Sequence, residues 1–142
     1  MSTIIQRCWD EVREGDELAG FSLRLDMTRM ALQVSGTQDF YPIHHDPDFA
    51  RAAGHGDIFI NTAFIRACLC RLLTDWIGRD GFLNRLGFQM RKPNMLGQTI
   101  AVRGRVLQKR VGGQIELEAW IETAEDGITV PGTATVTLPT RG

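Results

Sequence analysis

The sequence has little net charge and few cysteines. Sixteen basic and seventeen acidic side chains leave a formal net charge of -1 over 142 residues. A chain this close to neutral has no overall field that would gather nucleic acid or an anionic membrane, so we expect neither as a partner. Three cysteines, an odd number, are typical of a protein from a reducing compartment.

The sequence also lacks a long apolar run free of charge. Residues 58–77 form the longest apolar stretch, but Arg66, Arg71 and Asp75 interrupt it, which argues against a membrane span. Residues 1–10 carry polar and charged side chains where a secretory signal needs an apolar run. We therefore expect a cytoplasmic protein.

The apolar content predicts one domain built around a single long helix. A hydrophobic fraction of 43% in 142 residues is enough to bury a core, and no linker or repeat divides residues 1–142. Residues 58–76 are predicted to be helical, with Asp57 as the N-cap and Gly78 as the end. Because this helix is apolar nearly all round, the rest of the chain must wrap it.

The remaining elements are predicted to be mainly strands. Residues 22–25 indicate an early strand, residues 27–38 fit either a short helix or a strand, and residues 48–53 indicate a helical turn. Beyond Gly81 the hydrophobicity alternates, which predicts a meander of strands over residues 86–92, 99–109, 114–123 and 129–138. A curved antiparallel sheet wrapped around one long helix is an α+β hotdog fold.

All three histidines, His44, His45 and His55, lie within twelve residues of one another in the loop before the long helix. Asp39 precedes His44 by five residues, and Pro42 stiffens the connection between them. This spacing can bring a carboxylate and an imidazole together for acid and base chemistry. In the alternative interpretation, Asp39 caps a turn and His44 occupies a structural hydrogen-bonded position.

The sequence offers no clear metal or cofactor motif. Adjacent histidines tend to point apart, and neither Cys-x-x-Cys nor His-x-x-x-His is present. Cys68 and Cys70 would lie about 200° apart around a helix, so we expect small core residues rather than a chelating pair. A nucleophilic Cys–His pair stays open. Gly54-x-Gly56 lacks the third glycine of a dinucleotide-binding loop, and no cofactor is expected.

Gly56 has two possible roles at the predicted start of the long helix. With no side chain, it would let a substrate carbonyl approach backbone N–H groups, where the helix dipole favours negative charge. It would otherwise only interrupt regular structure before the helix. Seven basic residues downstream fit solvated strand faces or, alternatively, contacts with the phosphates of a nucleotide-bearing carrier: Arg85, Arg91, Lys92, Arg103, Arg105, Lys109 and Arg110.

Residues 39–46, Asp-Phe-Tyr-Pro-Ile-His-His-Asp, followed by His55-Gly56 before an apolar helix, resemble the MaoC-like (R)-specific enoyl-CoA hydratases. The family signature is Asp-x-Asn-Pro-(Leu/Ile)-His and then His-Gly before the central helix. The resemblance extends from about residue 35 to the C-terminus, with Lys92-Pro93 and residues 97–99 also similar. Within the family, residues 57–61 and 74–78 are most similar to small subunits of hydratases that act on steroid side-chain CoA thioesters.

The resemblance implies a site and an assembly. Asp39 and His44 would form the catalytic dyad, and Gly56 would donate its backbone N–H to the thioester carbonyl of an acyl-CoA substrate. Five further residues would contact the substrate: Tyr41, His45, His55, Asp57 and Asn61. No metal or redox cofactor is implied. Because the family completes its pocket at a dimer interface, we expect a homodimer or a heteromer with a second MaoC-like chain.

Two departures from the signature bear on function. Tyr41 replaces the motif asparagine, which helps hold the loop in the family. The stretch from His44 to Gly56 is shorter than in the usual bacterial enzymes, which favours a pocket that admits bulky, ring-bearing acyl groups. An acyl-CoA thioesterase and a non-catalytic acyl-CoA-binding subunit of a heteromeric hydratase are the alternative functions.

Overall fold

Five antiparallel strands form one sheet in the structure, a computed structural model that describes residues 5–142. Residues 1–4, the start of the segment predicted to lack a signal, lie outside the described part. The strand order is β1-β3-β4-β5-β2. The strands are β1 (Phe21–Arg24), β2 (Phe82–Phe88), β3 (Thr99–Arg110), β4 (Gln114–Thr123) and β5 (Gly127–Thr137).

Three α-helices and two 3-10 turns complete the described chain. The helices are α1 (Met27–Thr37), α2 (Pro47–Ala52) and α3 (Thr62–Ile77). The 3-10 turns are Trp9–Glu11 and Pro42–His44. One long helix against a curved antiparallel sheet confirms the α+β hotdog fold that the sequence predicts.

One face of the sheet packs on the core and the other faces solvent. Alternate side chains of β4 are completely buried, while those between them are partly exposed, as expected for a strand with one wet face. The buried members include Ile115, Leu117, Ala119 and Ile121. The outer face instead carries ion pairs across strands, such as Arg105 with Glu118.

The central helix buries one stripe rather than its whole circumference, which corrects the prediction of a helix apolar nearly all round. Leu69, Leu73 and other apolar residues of α3 face the sheet and are completely buried. The three charged residues, Arg66, Arg71 and Asp75, lie on the exposed side. Arg71 and Asp75, four residues apart, lie close together and form an ion pair at 3.7 Å, whereas Arg66 lies at the other edge of the exposed side. None of the three charges is buried.

The start of α3 differs from the prediction. The helix begins at Thr62, and its N-cap is Asn61, which accepts a hydrogen bond from Phe64 N at 2.8 Å; Asp57 is not the cap. Residues 58–60 are instead extended, because Phe59 forms a β-bridge with Met95. Tertiary pairing therefore replaces the helical turn that the apolar run alone favours.

The other boundaries shift less. Within residues 27–38, ambiguous in the sequence, Met27–Thr37 form α1. Asp26 caps this helix, and its side chain accepts from Arg29 N at 2.8 Å. Gly78 ends α3 with a positive φ of 73°, as predicted. The strand predicted at residues 86–92 begins earlier, at Phe82, and pairs with β5 rather than β3. No helix within residues 5–142 is both long and apolar enough to cross a membrane.

Leu69→Ala tests the packing of α3 on the sheet. Leu69 is completely buried, so its truncation should lower the free energy of unfolding by about 2–5 kcal/mol. Leu107→Ala, at a position that is 45% exposed, is the matched control and should cost less than about 0.5 kcal/mol. Urea denaturation measures both. Equal losses would contradict the orientation of the helix.

Candidate active site

A backbone carbonyl fixes the orientation of His44. The 3-10 turn Pro42–His44 carries this side chain into the protein, where the residue is only 7% exposed. His44 Nδ1 lies 2.8 Å from Phe59 O. Because a carbonyl oxygen only accepts, Nδ1 must donate the proton, and Nε2 of the neutral ring is left with a free lone pair.

Asp39 faces that free nitrogen. It follows the end of α1, where Gln38 adopts a left-handed conformation with φ 55° and turns the chain. Asp39 Oδ2 lies 3.4 Å from His44 Nε2, and its side chain is 40% exposed. With a neutral ring both atoms are acceptors, so a water molecule that lies to one side of the pair, within reach of both, can donate one hydrogen to each.

Aromatic rings surround the pair. The ring of Phe59 packs edge-on against His44 with centroids 5.2 Å apart, and against His55 at 4.7 Å. The exposed Tyr41 lies edge-on to His44 at 6.2 Å and to Phe49 at 5.6 Å. Tyr41 N also lies within 3.4 Å of Asp39 Oδ1. Tyr41 therefore lies beside both Asp39 and His44, and His55 contacts Phe59; contact of Tyr41 and His55 with a substrate stays a prediction.

Gly56 lies in the loop before the buried segment 58–60 and not at a helix start. Five residues separate it from Thr62, so the expectation that the dipole of the helix acts directly at Gly56 is wrong. A Cβ built on Gly56 would lie 3.3 Å from Met95 Sδ, which places Met95 directly beside it. The Gly56 N–H makes no hydrogen bond to any other residue of the described chain.

Two predicted substrate contacts are engaged with their own backbone neighbourhood. His45 is exposed, and its Nε2 lies 3.0 Å from Phe40 O, to which it must donate. Asp57 Oδ1 accepts a hydrogen bond from Ile58 N at 2.8 Å. Both residues lie within the loop that carries the dyad, and no hydrogen bond or ion pair joins the side chain of either one to Asp39 or His44.

Asn61 lies in a buried network that joins α1 to α3. Its Nδ2 donates to Thr37 Oγ1 at 2.7 Å, and its Oδ1 caps α3. Its backbone N donates to Gln33 Oε1 at 3.0 Å. Both ends of the Asn61 side chain are occupied, so we assign Asn61 a structural role in place of the predicted substrate contact. The network holds the end of α1, from which Asp39 follows, against the start of α3.

Sequence reasoning missed two of these residues. Phe59 acts through its carbonyl, for which an apolar residue in an apolar run gives no signal. Gln33 did leave a signal, because Met30, Gln33 and Val34 follow the spacing of one helix face and all three are buried. A glutamine on that face indicates a buried hydrogen-bond partner, but only once α1 is known to be helical.

Cys68 is not an activated nucleophile. Cys68 is buried on α3, and desolvation raises the pKa of its thiol to about 11, against smaller opposing effects of Arg71 and Arg29. It is therefore a protonated core residue near neutral pH. Within residues 5–142, no three His, Cys, Asp or Glu side chains are arranged to hold a metal ion.

A curated relative identifies the family. The chain is 32% identical over 92 residues to the 3-oxo-4,17-pregnadiene-20-carboxyl-CoA hydratase beta subunit of Mycobacterium tuberculosis, a match that spans 65% of this chain and 71% of the relative. This chain belongs to the MaoC-like hydratase family. No protein-family model matches it.

Solved structures share the fold of this MaoC-like hydratase. A chain of the ChsH1-ChsH2 complex from Mycobacterium tuberculosis superposes with a TM-score of 0.82 and 27% identity, covering 89% of this chain and 98% of that one. The (R)-hydratase from A. caviae involved in PHA biosynthesis gives a TM-score of 0.81 and 22% identity, over 91% and 98% of the two chains. The second similarity supports the fold alone.

Alkylation tests the state of Cys68. At about pH 8, iodoacetamide should modify the half-buried Cys70 much faster than Cys68, because a thiol of pKa about 11 is almost entirely protonated there. Folding raises the pKa of the Cys68 thiol from 9.0 to about 11. The contribution of this thiol to the free energy of unfolding is therefore fully present below pH 9 and is lost as the pH rises towards about 11. Peptide mass spectrometry gives the two rates, and equal rates would contradict the burial.

Proposed function

We propose that this MaoC-like hydratase adds water across the C2–C3 double bond of a 2-enoyl-CoA thioester and catalyses the reverse dehydration. The observation that carries the proposal is the opposition of Asp39 Oδ2 and His44 Nε2 at 3.4 Å, with the imidazole tautomer set by Phe59 O. Two acceptors that converge at this distance suit a water molecule that must be oriented and deprotonated.

The tautomer sets the order of proton movements. A water molecule beside the two dyad atoms donates to Asp39 and to His44 Nε2, which leaves an oxygen lone pair free to attack C3. As the C3–O bond forms, the C2–C3 π electrons shift towards the thioester, and Asp39 takes up the proton released from water. His44 Nε2 carries no proton at the start. The proton that Asp39 has taken from water is therefore the one added to C2, and this transfer returns the dyad to its initial state.

Gly56 would stabilise the negative charge that develops on the thioester oxygen. Its N–H has no partner among the described residues, and no side chain of its own blocks an approaching carbonyl. One such donor contributes typically about 2.7–4 kcal/mol to the lowering of a barrier. In this proposal the donor is the loop amide itself, without a contribution from the start of α3.

A single chain leaves the site open, which supports completion of the acyl pocket by a second MaoC-like chain. Asp39 is 40% exposed, and the neighbouring aromatic residues Phe40 and Tyr41 are exposed as well. Four grooves lined by described residues lie elsewhere, and none of the four includes Asp39, His44 or Gly56. The solved relative from Mycobacterium tuberculosis is a two-component complex. We propose a heteromer, with a homodimer as the alternative.

The acyl group is proposed to be bulky and steroid-like. The curated relative is named as a hydratase of a pregnadiene carboxyl-CoA thioester, which has a fused-ring acyl group. The open surface beside the dyad is compatible with a large substituent, and the short segment between His44 and Gly56 leaves little chain to cover it. Coenzyme A would carry the substrate, and no metal enters the proposed steps.

Product analysis tests the function. The purified protein, after measurement of its oligomeric mass, is incubated with short-chain and steroidal enoyl-CoA thioesters and followed by mass spectrometry and thiol release. Addition of one water without free CoA is the expected result. Release of free CoA would instead identify a thioesterase, and no turnover of any thioester, even after addition of a second MaoC-like chain from the same organism, would identify a non-catalytic subunit.

Substitution of the dyad tests the mechanism. Asp39→Asn removes the proton acceptor, and His44→Asn keeps a donor for Phe59 O but removes Nε2, so each should lower kcat by about 10²–10⁴-fold. Asp48→Asn is the matched control, because the Asp48 carboxylate is exposed and pairs only with Arg51. Retention of activity in both dyad variants, with the fold intact by circular dichroism, would refute a catalytic role.

A further inference from the structure

A groove on the outer face of the sheet differs from the rest of that face in its charge. Its volume is about 400 Å³, and it is lined by β2, the residues after β2 and the middle of β5. Gly87 faces this side of the sheet together with Thr133 and Glu118, and its lack of a side chain leaves the floor of the groove open. Arg85 and Arg91 contribute the two arginine side chains of the lining.

These two arginines have no acidic partner in the described chain, unlike their neighbours. Arg103, Arg105 and Arg110 pair with Glu122, Glu118 and Glu116 across β3 and β4. Neither Arg85 nor Arg91 has a carboxylate within ion-pair distance among residues 5–142. Unpaired guanidinium groups that flank a groove are suited to bind phosphate oxygens.

The one carboxylate in the groove does not cancel this charge. Glu118 lines the groove, but its Oε2 accepts from Arg105 Nη2 at 2.7 Å. Arg85 lies over the glycine floor, with its Nη2 3.7 Å from the Cβ position of Gly87. The groove therefore presents two uncompensated positive charges around a floor that a phosphate can approach.

The chain itself connects the groove to the candidate active site. Arg91 precedes Met95 by four residues, a span of at most about 14 Å between Cα atoms. Met95 lies beside Gly56 and forms the bridge with Phe59, whose carbonyl holds His44. A thioester on phosphopantetheine carries its phosphate at the far end of a flexible arm with two amide groups, which suits a phosphate site set apart from the dyad.

We propose that Arg85 and Arg91 form the binding site for the phosphates of the thioester carrier. This inference rests on the proposed function and assigns it a carrier subsite. The phosphates are those of coenzyme A or the single phosphate of a carrier-protein prosthetic group, which share this chemistry. The two arginines bind the carrier and leave the bond-making steps to Asp39 and His44.

Three thioesters of the same enoyl group test which phosphates Arg85 and Arg91 bind. They are the CoA ester, the 4′-phosphopantetheine ester and the pantetheine ester, which has no phosphate. In the double variant Arg85→Gln/Arg91→Gln, KM for the CoA ester should rise about tenfold with kcat unchanged, and KM for the pantetheine ester should stay constant. A rise for the phosphopantetheine ester too assigns the site to the shared phosphate. A rise for the CoA ester alone assigns it to the nucleotide phosphates.

Arg103→Gln/Arg110→Gln is the matched control, because it removes two arginines of the same face that are already paired. It should leave all three KM values unchanged. Equal changes for all three thioesters, or no change for any of them, in the Arg85/Arg91 variant would overturn the proposal. Calorimetric titration with coenzyme A itself is a readout without turnover: the native protein should bind it, and the Arg85/Arg91 variant should bind it about tenfold more weakly.

The two proposals fail differently. If the protein binds coenzyme A through Arg85 and Arg91 but hydrates no thioester, the carrier site is supported and the proposed reaction is refuted. If the protein hydrates the thioesters with no dependence on either arginine, the proposed reaction is supported and the carrier site is refuted. Raising the ionic strength should also weaken CoA binding to the native protein more than to the variant, because the two charges face solvent.

Discussion

The hydrogen bond from His44 Nδ1 to Phe59 O is the contact on which the rest of the site depends. It decides which imidazole nitrogen carries the proton, and so which one faces Asp39. It also requires residues 58–60 to be extended, because the carbonyl must project towards the histidine. The bridge between Phe59 and Met95 meets that requirement, and a helix over the same residues would direct its carbonyl along the helix axis.

The sequence predicts the architecture well and one local boundary poorly. Apolar and polar residues alternate in β3, β4 and β5 because one face of the sheet is buried and the other is exposed to solvent. This pattern is visible in the sequence without knowledge of the fold. The segment 58–60 has no such local mark. It is apolar like the helix that follows, and only the distant partner Met95 decides that it is extended. The proximity of Asp39 and His44 could be predicted because their spacing is local, whereas the contacts of Gln33 and Phe59 cross the fold.

Polar groups are distributed between the two faces of the sheet according to burial. Inside, polar side chains form small hydrogen-bonded sets, such as Thr129 Oγ1 donating to Asn94 Oδ1 at 2.6 Å, because an unpaired polar group there is costly. Among the described residues, the buried side-chain nitrogens Gln33 Nε2, Asn94 Nδ2 and Trp120 Nε1 are without a partner. Outside, charges are compensated pairwise along β3 and β4. The uncompensated arginines near β2 depart from that pattern, and the departure is meaningful because the neighbouring strands show what a fully paired surface looks like.

The segment that contains α2 runs between His44 and Phe59, the two residues joined by the hydrogen bond that fixes the imidazole. Between them, α2 starts with Asp46 as its own cap and ends near Gly54 at φ 94°, and both features are local to the segment. A loop of this kind can gain or lose residues at its tip while the histidine and the carbonyl stay in register. The length of this loop, and with it the amount of chain near the exposed side of Asp39, can therefore vary without displacing the hydrogen bond between His44 and Phe59.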